Sequence, residues 1–163
     1  MPLLGPGQTF PTLVVARPGG EQLVLPDAVL GEFGVVLFFR GAWCPYCNAQ
    51  LRAFERAQDA LAEVGARVVA LSVDDEATTA ELIAKHGLTF PVGYGADVAA
   101  IAATTGAFVN EEPRFLQSSG FVLAPDGQVV VSVYSSGAIG RLVPEDVIGM
   151  IRHIRGQRAS TAA

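Results

Sequence analysis

Two cysteines, two histidines and no long apolar run set the outer limits on what this 163-residue chain is. A membrane span needs about 20 apolar residues in a row, and no stretch approaches that. Met1-Pro2-Leu3-Leu4 is uncharged and ends at once in Gly5-Pro6-Gly7, so it does not read as a secretory leader. A cytoplasmic location is the default expectation. Two cysteines this close together span too small a loop to brace a secreted scaffold. A structural zinc site takes a full ligand set, and one Cys-x-x-Cys with His86 and His153 far along the chain does not supply it. Asp74-Asp75-Glu76 reads as a helix start rather than a metal cluster. No metal and no cofactor are implied.

Charge is scarce as well. Only 17% of residues are charged, the formal net charge is −5, and no run of Lys and Arg breaks the acidic balance. A nucleic-acid partner is therefore not expected. Arg152, Arg155 and Arg158 make the last helix locally basic, which suits a helix C-terminus. Half of the residues are apolar, so disorder is excluded as an overall description. The length suits one domain over residues 1–163 with a full core, ordered over about 5–156 and frayed from Gln157. There is no internal repeat.

What the chain does have is concentrated in residues 35–47, Val-Val-Leu-Phe-Phe-Arg-Gly-Ala-Trp-Cys-Pro-Tyr-Cys. Val35 to Phe39 has the composition and length of a buried strand. Arg40 to Trp43 break it. Leu51, Phe54, Leu61 and Val64 then form one apolar stripe of a helix running to about residue 64. Pro45 fits the first helical turn, where its missing N–H costs nothing. That puts Cys44 at the N-cap and Cys47 in the first turn. A thiolate at Cys44 would face unpaired N–H groups at the positive end of the helix, which lowers its pKa. Cys47 lies within reach of a sulfur carried on Cys44. Strand, tight turn, Cys-x-x-Cys and helix together form a specific signal for thiol redox chemistry.

The rest of the chain supports an α/β layout. Thr12–Val15 and Gln22–Leu25 flank the turn Arg17-Pro18-Gly19-Gly20 as an N-terminal hairpin extension. A short helical turn follows Pro26, with Asp27 as a candidate cap. Arg67–Val73 reads as a second buried strand, nearly continuous in apolar residues like a parallel strand covered on both faces. Helices are predicted over Glu76–His86, from Asp97 through Ala103, and from Pro144. Residues 106–119 show no periodicity and are predicted to form a loop across the active face. Phe121–Ala124 and Val129–Tyr134 make a hairpin around Pro125-Asp126-Gly127. Right-handed crossovers place the Cys44 strand beside the Val68 strand, in a central mixed sheet flanked by helices.

On three stretches, Phe38-Phe39-Arg40-Gly41-Ala42-Trp43-Cys44-Pro45-Tyr46-Cys47, Phe121 to Gly127, and Gly5-x-x-x-Thr9-Phe10-Pro11, the chain resembles the thioredoxin fold. Within it the likeness is to peroxiredoxins of the alkyl hydroperoxide reductase and thiol-specific antioxidant type. The resemblance implies that Cys44 attacks and Cys47 resolves. Departures stand beside it. Gly41 and Leu37 replace the usual Thr or Ser and Pro of peroxiredoxins, and Ser118 and Gly120 stand where their Arg and Thr would be. Phe38 replaces the buried acid of thioredoxins, and Gly120 takes the place of their cis-proline.

The implied activity is a thiol-dependent peroxidase that reduces hydrogen peroxide or an organic hydroperoxide through Cys44 sulfenic acid. An external thiol, thioredoxin-like or of low molecular weight, would restore the pair. Two alternatives stay open: a protein disulfide reductase, and a redox-sensing interaction module. Arg40 either lowers the thiol pKa and polarises a peroxide or is a solvated strand-end arginine. Trp43 packs beside the cysteines or touches substrate, and Tyr46 offers a hydroxyl or a cover. Arg114 is the nearest arginine to the missing one, and Gly120 lines the expected pocket. Pro113 is expected to be trans, as most X-Pro bonds are. Phe108 and Phe115 are candidate homodimer contacts.

Overall fold

Arg17-Pro18-Gly19-Gly20 turns the chain back on itself, and β1 (Leu13–Ala16) pairs antiparallel with β2 (Gln22–Leu25) from Leu13↔Leu25 to Ala16↔Gln22. The computed structural model describes residues 3–162. A 3-10 turn over Asp27–Val29 leads into β3 (Phe33–Phe38), in which every residue is buried. Then come α1 (Pro45–Arg56), α2 (Gln58–Glu63), β4 (Ala66–Leu71), α3 (Glu76–His86), β5 (Val92–Gly93) and α4 (Val98–Thr105). A small hairpin, β6 (Val109–Glu111) with β7 (Arg114–Leu116), precedes β8 (Ser119–Leu123), β9 (Val129–Tyr134) and α5 (Pro144–Ala162).

The central sheet has the order β5-β4-β3-β8-β9. β3 and β4 run parallel, and β8 runs antiparallel to β3. The predicted neighbour relation, the α/β class and the flanking helices are all present. Alternation along β3 splits the core in two, as a pleated strand requires. Val35, Leu37 and Phe39 face the layer formed by Leu51, Phe54, Leu61, Leu82 and Ile151. Val36 and Phe38 face the other layer, with Phe10, Leu23, Leu25, Ile101 and Phe121. Phe121 gathers edge-on contacts there with Phe10 at 5.2 Å and Tyr134 at 5.5 Å between ring centres.

Several expectations are corrected. The helix predicted to run to residue 64 breaks at Ala57, whose φ of −92° and ψ of 5° leave the α region; Ala57 N–H donates to both Ala53 and Phe54 carbonyls. No Gly or Pro announces that break. Asp27 sits inside its 3-10 turn and makes no side-chain cap. The segment predicted as a loop contains β6 and β7, with a cis Glu112–Pro113 bond at the hairpin tip instead of a trans one.

Candidate active site

β3 delivers the chain to the C-terminal edge of the parallel strands, where Phe39 N–H still donates to Leu71 C=O at 3.0 Å. The next residues form a tight turn closed by Cys44 N–H on Gly41 C=O at 3.1 Å. Two side chains pin that turn from outside. Asp74 Oδ2, past the end of β4, accepts Ala42 N–H at 2.8 Å, and Asn48 Nδ2 of α1 donates to Ala42 C=O at 2.9 Å. Gly41 allows the close approach of Trp43, whose indole occupies the space a Cβ at residue 41 would need.

Cys44 is the N-cap of α1 and Pro45 its first residue. Cys44 Sγ accepts the N–H of Cys47 at 3.2 Å, so a backbone donor of the helix end points at the sulfur. Cys47 Sγ in turn accepts Arg40 N–H at 3.3 Å. Both cysteines are free thiols and fully buried.

Two arginines reach the pair. Arg40 places Nη1 3.9 Å from Cys44 Sγ, donates Nε–H to Gln117 Oε1 at 3.0 Å, and lies over the rings of Trp43 and Phe115 at 4.9 and 5.1 Å. Those two rings meet edge to face at 5.0 Å. Arg141, absent from the sequence expectations, comes from the link between β9 and α5. Its Nη2 lies 3.3 Å from Cys47 Sγ and 3.7 Å from Cys44 Sγ. It is fixed by Nη1 on Gln50 Oε1 at 3.1 Å and by Nη2 on Ala138 C=O at 2.8 Å. Gln50 closes the loop by donating to Leu142 C=O at 2.9 Å.

The environment separates the two thiols. Burial pushes the Cys44 thiol up, but hydrogen bonds from the Cys47 thiol and N–H and from Arg40, with the charge of Arg141, outweigh it and hold Cys44 below its ordinary value. Burial, joined by the proton that Cys47 shares toward Cys44, pushes Cys47 up; Arg40 N–H and Arg141 only moderate this. One sulfur is biased toward thiolate and its neighbour toward thiol.

The other expected site residues separate into two groups. Pro45 and Tyr46 sit on the exposed rim of the α1 N-terminus, and Trp43 is half exposed above Arg40. Arg114 is carried away from the thiols on the exposed hairpin, where it faces Glu111 at 3.5 Å. Gly120 lies inside β8 opposite Leu37, under the side chain of Leu142. The predicted dimer contacts divide too: Phe108 is exposed, but Phe115 is buried against Trp43. Arg141 carried no local signal. The link around it has no periodicity, and only the fold brings it across 97 residues to Cys44.

A dithiol at a helix N-terminus, off the end of a parallel strand in this sheet, defines a thiol-redox protein of the thioredoxin fold. The sequence profile of the AhpC/TSA family matches residues 6–132, and the chain belongs to that family, in the peroxiredoxin-like branch. It is 30% identical over 161 residues to a peroxiredoxin of Methanothermobacter thermautotrophicus, spanning 95% of this chain and 74% of that protein. It is 28% identical to the thiol-disulfide oxidoreductase ResA of Bacillus thuringiensis over 91% of this chain and 78% of the other. Among solved structures, peroxidoxin BcpB from Mycobacterium tuberculosis superposes with a TM-score of 0.79 at 19% identity, covering 93% of this chain and 98% of that one.

Proposed function

We propose that the chain, working as one domain, is a thiol-dependent peroxidase in which Cys44 is the attacking sulfur and Cys47 the resolving one. The observation that carries this is the setting of the two buried thiols: Cys44 Sγ, at the N-cap of α1, accepts Cys47 N–H at 3.2 Å, with guanidinium nitrogens of Arg40 and Arg141 at 3.9 and 3.7 Å. The Cys44 thiolate attacks the terminal oxygen of a peroxide. An S–O bond forms, the O–O bond breaks, sulfur loses two electrons, and the departing alkoxide or hydroxide takes a proton from water. Arg40 and Arg141 place N–H donors beside the reacting sulfur, where negative charge moves from sulfur to oxygen. Cys47 then attacks Cys44 sulfenic acid, expelling water and forming the disulfide. An external thiol, thioredoxin-like or small, returns two electrons.

Relatedness to the Methanothermobacter peroxiredoxin supports the peroxide substrate. Likeness to ResA supports disulfide reduction as the second reading, and the N-cap placement of Cys44 serves both. No helix among the described residues is long and apolar enough to cross a membrane, which is consistent with the cytoplasmic location we assign. The test is stopped-flow oxidation of the reduced protein, followed by fluorescence of Trp43. A second-order rate far above that of a free thiolate, with sulfenic acid trapped on Cys44 in Cys47→Ser, is the expected result. A rate no faster than a free thiolate would leave disulfide exchange as the activity.

A further inference from the structure

The two arginines are not equivalent toward the sulfurs. Of the pair, the Arg40 guanidinium reaches only Cys44, with Nη1 3.9 Å from its Sγ, and Arg40 meets Cys47 through its backbone N–H at 3.3 Å. Arg141 reaches both sulfurs and stands closer to Cys47, at 3.3 Å against 3.7 Å for Cys44. Its other bonds go to neutral oxygens. Nη1 donates to Gln50 Oε1 at 3.1 Å, and Nε and Nη2 donate to Ala138 C=O at 3.0 and 2.8 Å. Among the described residues no carboxylate pairs with Arg141, so its charge is left for the sulfurs. The attacking sulfur accounts for the longer contact. The shorter one is to the sulfur that waits.

We infer that Arg141 is a catalytic residue of the second step, in which it stabilises the Cys47 thiolate that closes the disulfide once Cys44 has been oxidised. This rests on Cys44 attacking and Cys47 resolving, and it assigns the residue that drives the resolution. Before the first step, Cys44 holds the proton on Cys47 in two ways: by its negative charge, and as acceptor of the Cys47 thiol. A sulfenic acid or a mixed disulfide at Cys44 carries no charge, so the repulsion ends and the thiol loses its anionic acceptor. Burial still opposes ionisation of Cys47, and the groups that remain against it are the Arg40 N–H and Arg141. Of these, only Arg141 brings a full charge, and it is already in place at 3.3 Å. Oxidation of one sulfur thereby switches on the other.

In the step itself Cys47 gives its thiol proton to water, and the thiolate attacks the Cys44 sulfur. The S–S bond forms and the S–O bond breaks. Cys47 sulfur is oxidised as the sulfenic acid sulfur is reduced, and the departing hydroxide takes up a proton and leaves as water. Where Cys44 carries a mixed disulfide, the leaving group is the substrate thiolate and the same guanidinium serves.

The experiment reads the second step by itself. Reduced protein is mixed with one equivalent of dipyridyl disulfide. Attack by Cys44 releases a first thiopyridone, and closure by Cys47 releases a second in a first-order phase that is followed against pH. Arg141→Gln should move the inflection of that phase up by about one to two pH units and slow it by about 4- to 20-fold at neutral pH, since a higher thiol pKa is partly offset by greater nucleophilicity. Arg141→Lys should restore part of the rate. Arg40→Gln should slow the first phase and leave the inflection of the second where it is. A second phase slowed equally at every pH in Arg141→Gln, with its inflection unmoved, would mean a displaced link and would overturn the inference. An equal shift in Arg40→Gln would overturn it too. An inflection that moves with Arg141, while no peroxide outpaces a free thiolate, keeps the inference and removes the peroxidase reading. First-phase release at full rate in Cys44→Ser would remove the assignment of the two cysteines, and the inference with it.

Discussion

Arg141 holds a single guanidinium nitrogen 3.3 Å from Cys47 Sγ and 3.7 Å from Cys44 Sγ. A cation shared between two sulfurs favours whichever one is ionised, and the helix end already selects Cys44. Arg141→Gln removes the charge, so Cys44 should ionise at higher pH and react more slowly at neutral pH. A hydrogen bond to a charged group is worth about 1.5–3 kcal/mol, which sets the loss at about tenfold or more. Thiolate absorbance against pH in a Cys47→Ser background checks it. Arg141→Lys should recover only part, because an ammonium cannot reach Gln50, Ala138 C=O and the sulfurs in one plane.

At the far side of the sheet, Tyr134 ties down the N-terminal lead-in. Its hydroxyl lies 2.8 Å from the carbonyl oxygens of both Leu4 and Thr105. Burial drives its pKa up to about 12, against the contrary pull of the bond to Leu4. Tyr134→Phe leaves those carbonyls without the donor and should cost about 1–2 kcal/mol. A lower urea midpoint with an unchanged slope would show it. An unchanged midpoint would mean that water replaces the hydroxyl without loss.

The parts of the fold legible in the sequence are those written locally. Val35 to Phe39 announces a buried strand by composition, Pro45 fixes the first helical turn, and Asp75 and Asp97 cap α3 and α4 through Thr78 and Ala100 N–H groups. The cysteine pair declares itself because strand, turn and helix are contiguous. Arg141 and Gln117 could not be read this way, since they reach the site through sheet order, from 97 residues beyond Cys44 and 77 beyond Arg40. Arg114 misled for the converse reason. Closeness in sequence to the expected place put it in the pocket, but the hairpin at Pro113 turns it outward to Glu111.

Gly120 matters for space, though not as a wall of the pocket. A Cβ at this position would stand 2.6 Å from Leu142 Cδ1 and 2.9 Å from Cγ. Leu142 is buried, and its carbonyl accepts from Gln50, which also holds Arg141. Gly120→Ala should therefore lift the link carrying Arg141, at about 1–3 kcal/mol for overpacking. Hydrogen exchange should accelerate over residues 136–143 more than over β3. Acceleration spread evenly over the chain would mean that the notch has no special hold on the link.

The dithiol also imposes a pH dependence on stability, and the two sulfurs act in opposite directions. Burial tends to raise Cys44, but its hydrogen bonds and Arg141 bring it below the ordinary thiol value of 9.0. Between that lowered value and 9.0 the unfolded chain binds the extra proton, so the Cys44 contribution grows with rising pH and is lost on acidification through its folded pKa. Cys47 is raised, chiefly by burial. Its contribution is present below 9.0 and is lost as pH rises toward its folded pKa. Subtracting the stability curve of Cys44→Ser/Cys47→Ser from that of the reduced protein should leave a difference that climbs in mild alkali, peaks near the ordinary thiol value and then declines. Urea unfolding under reducing conditions at a series of pH values reads this directly. A difference curve that is flat, or that falls on the acid side of the peak, would mean that Cys44 is not held toward thiolate in the folded protein.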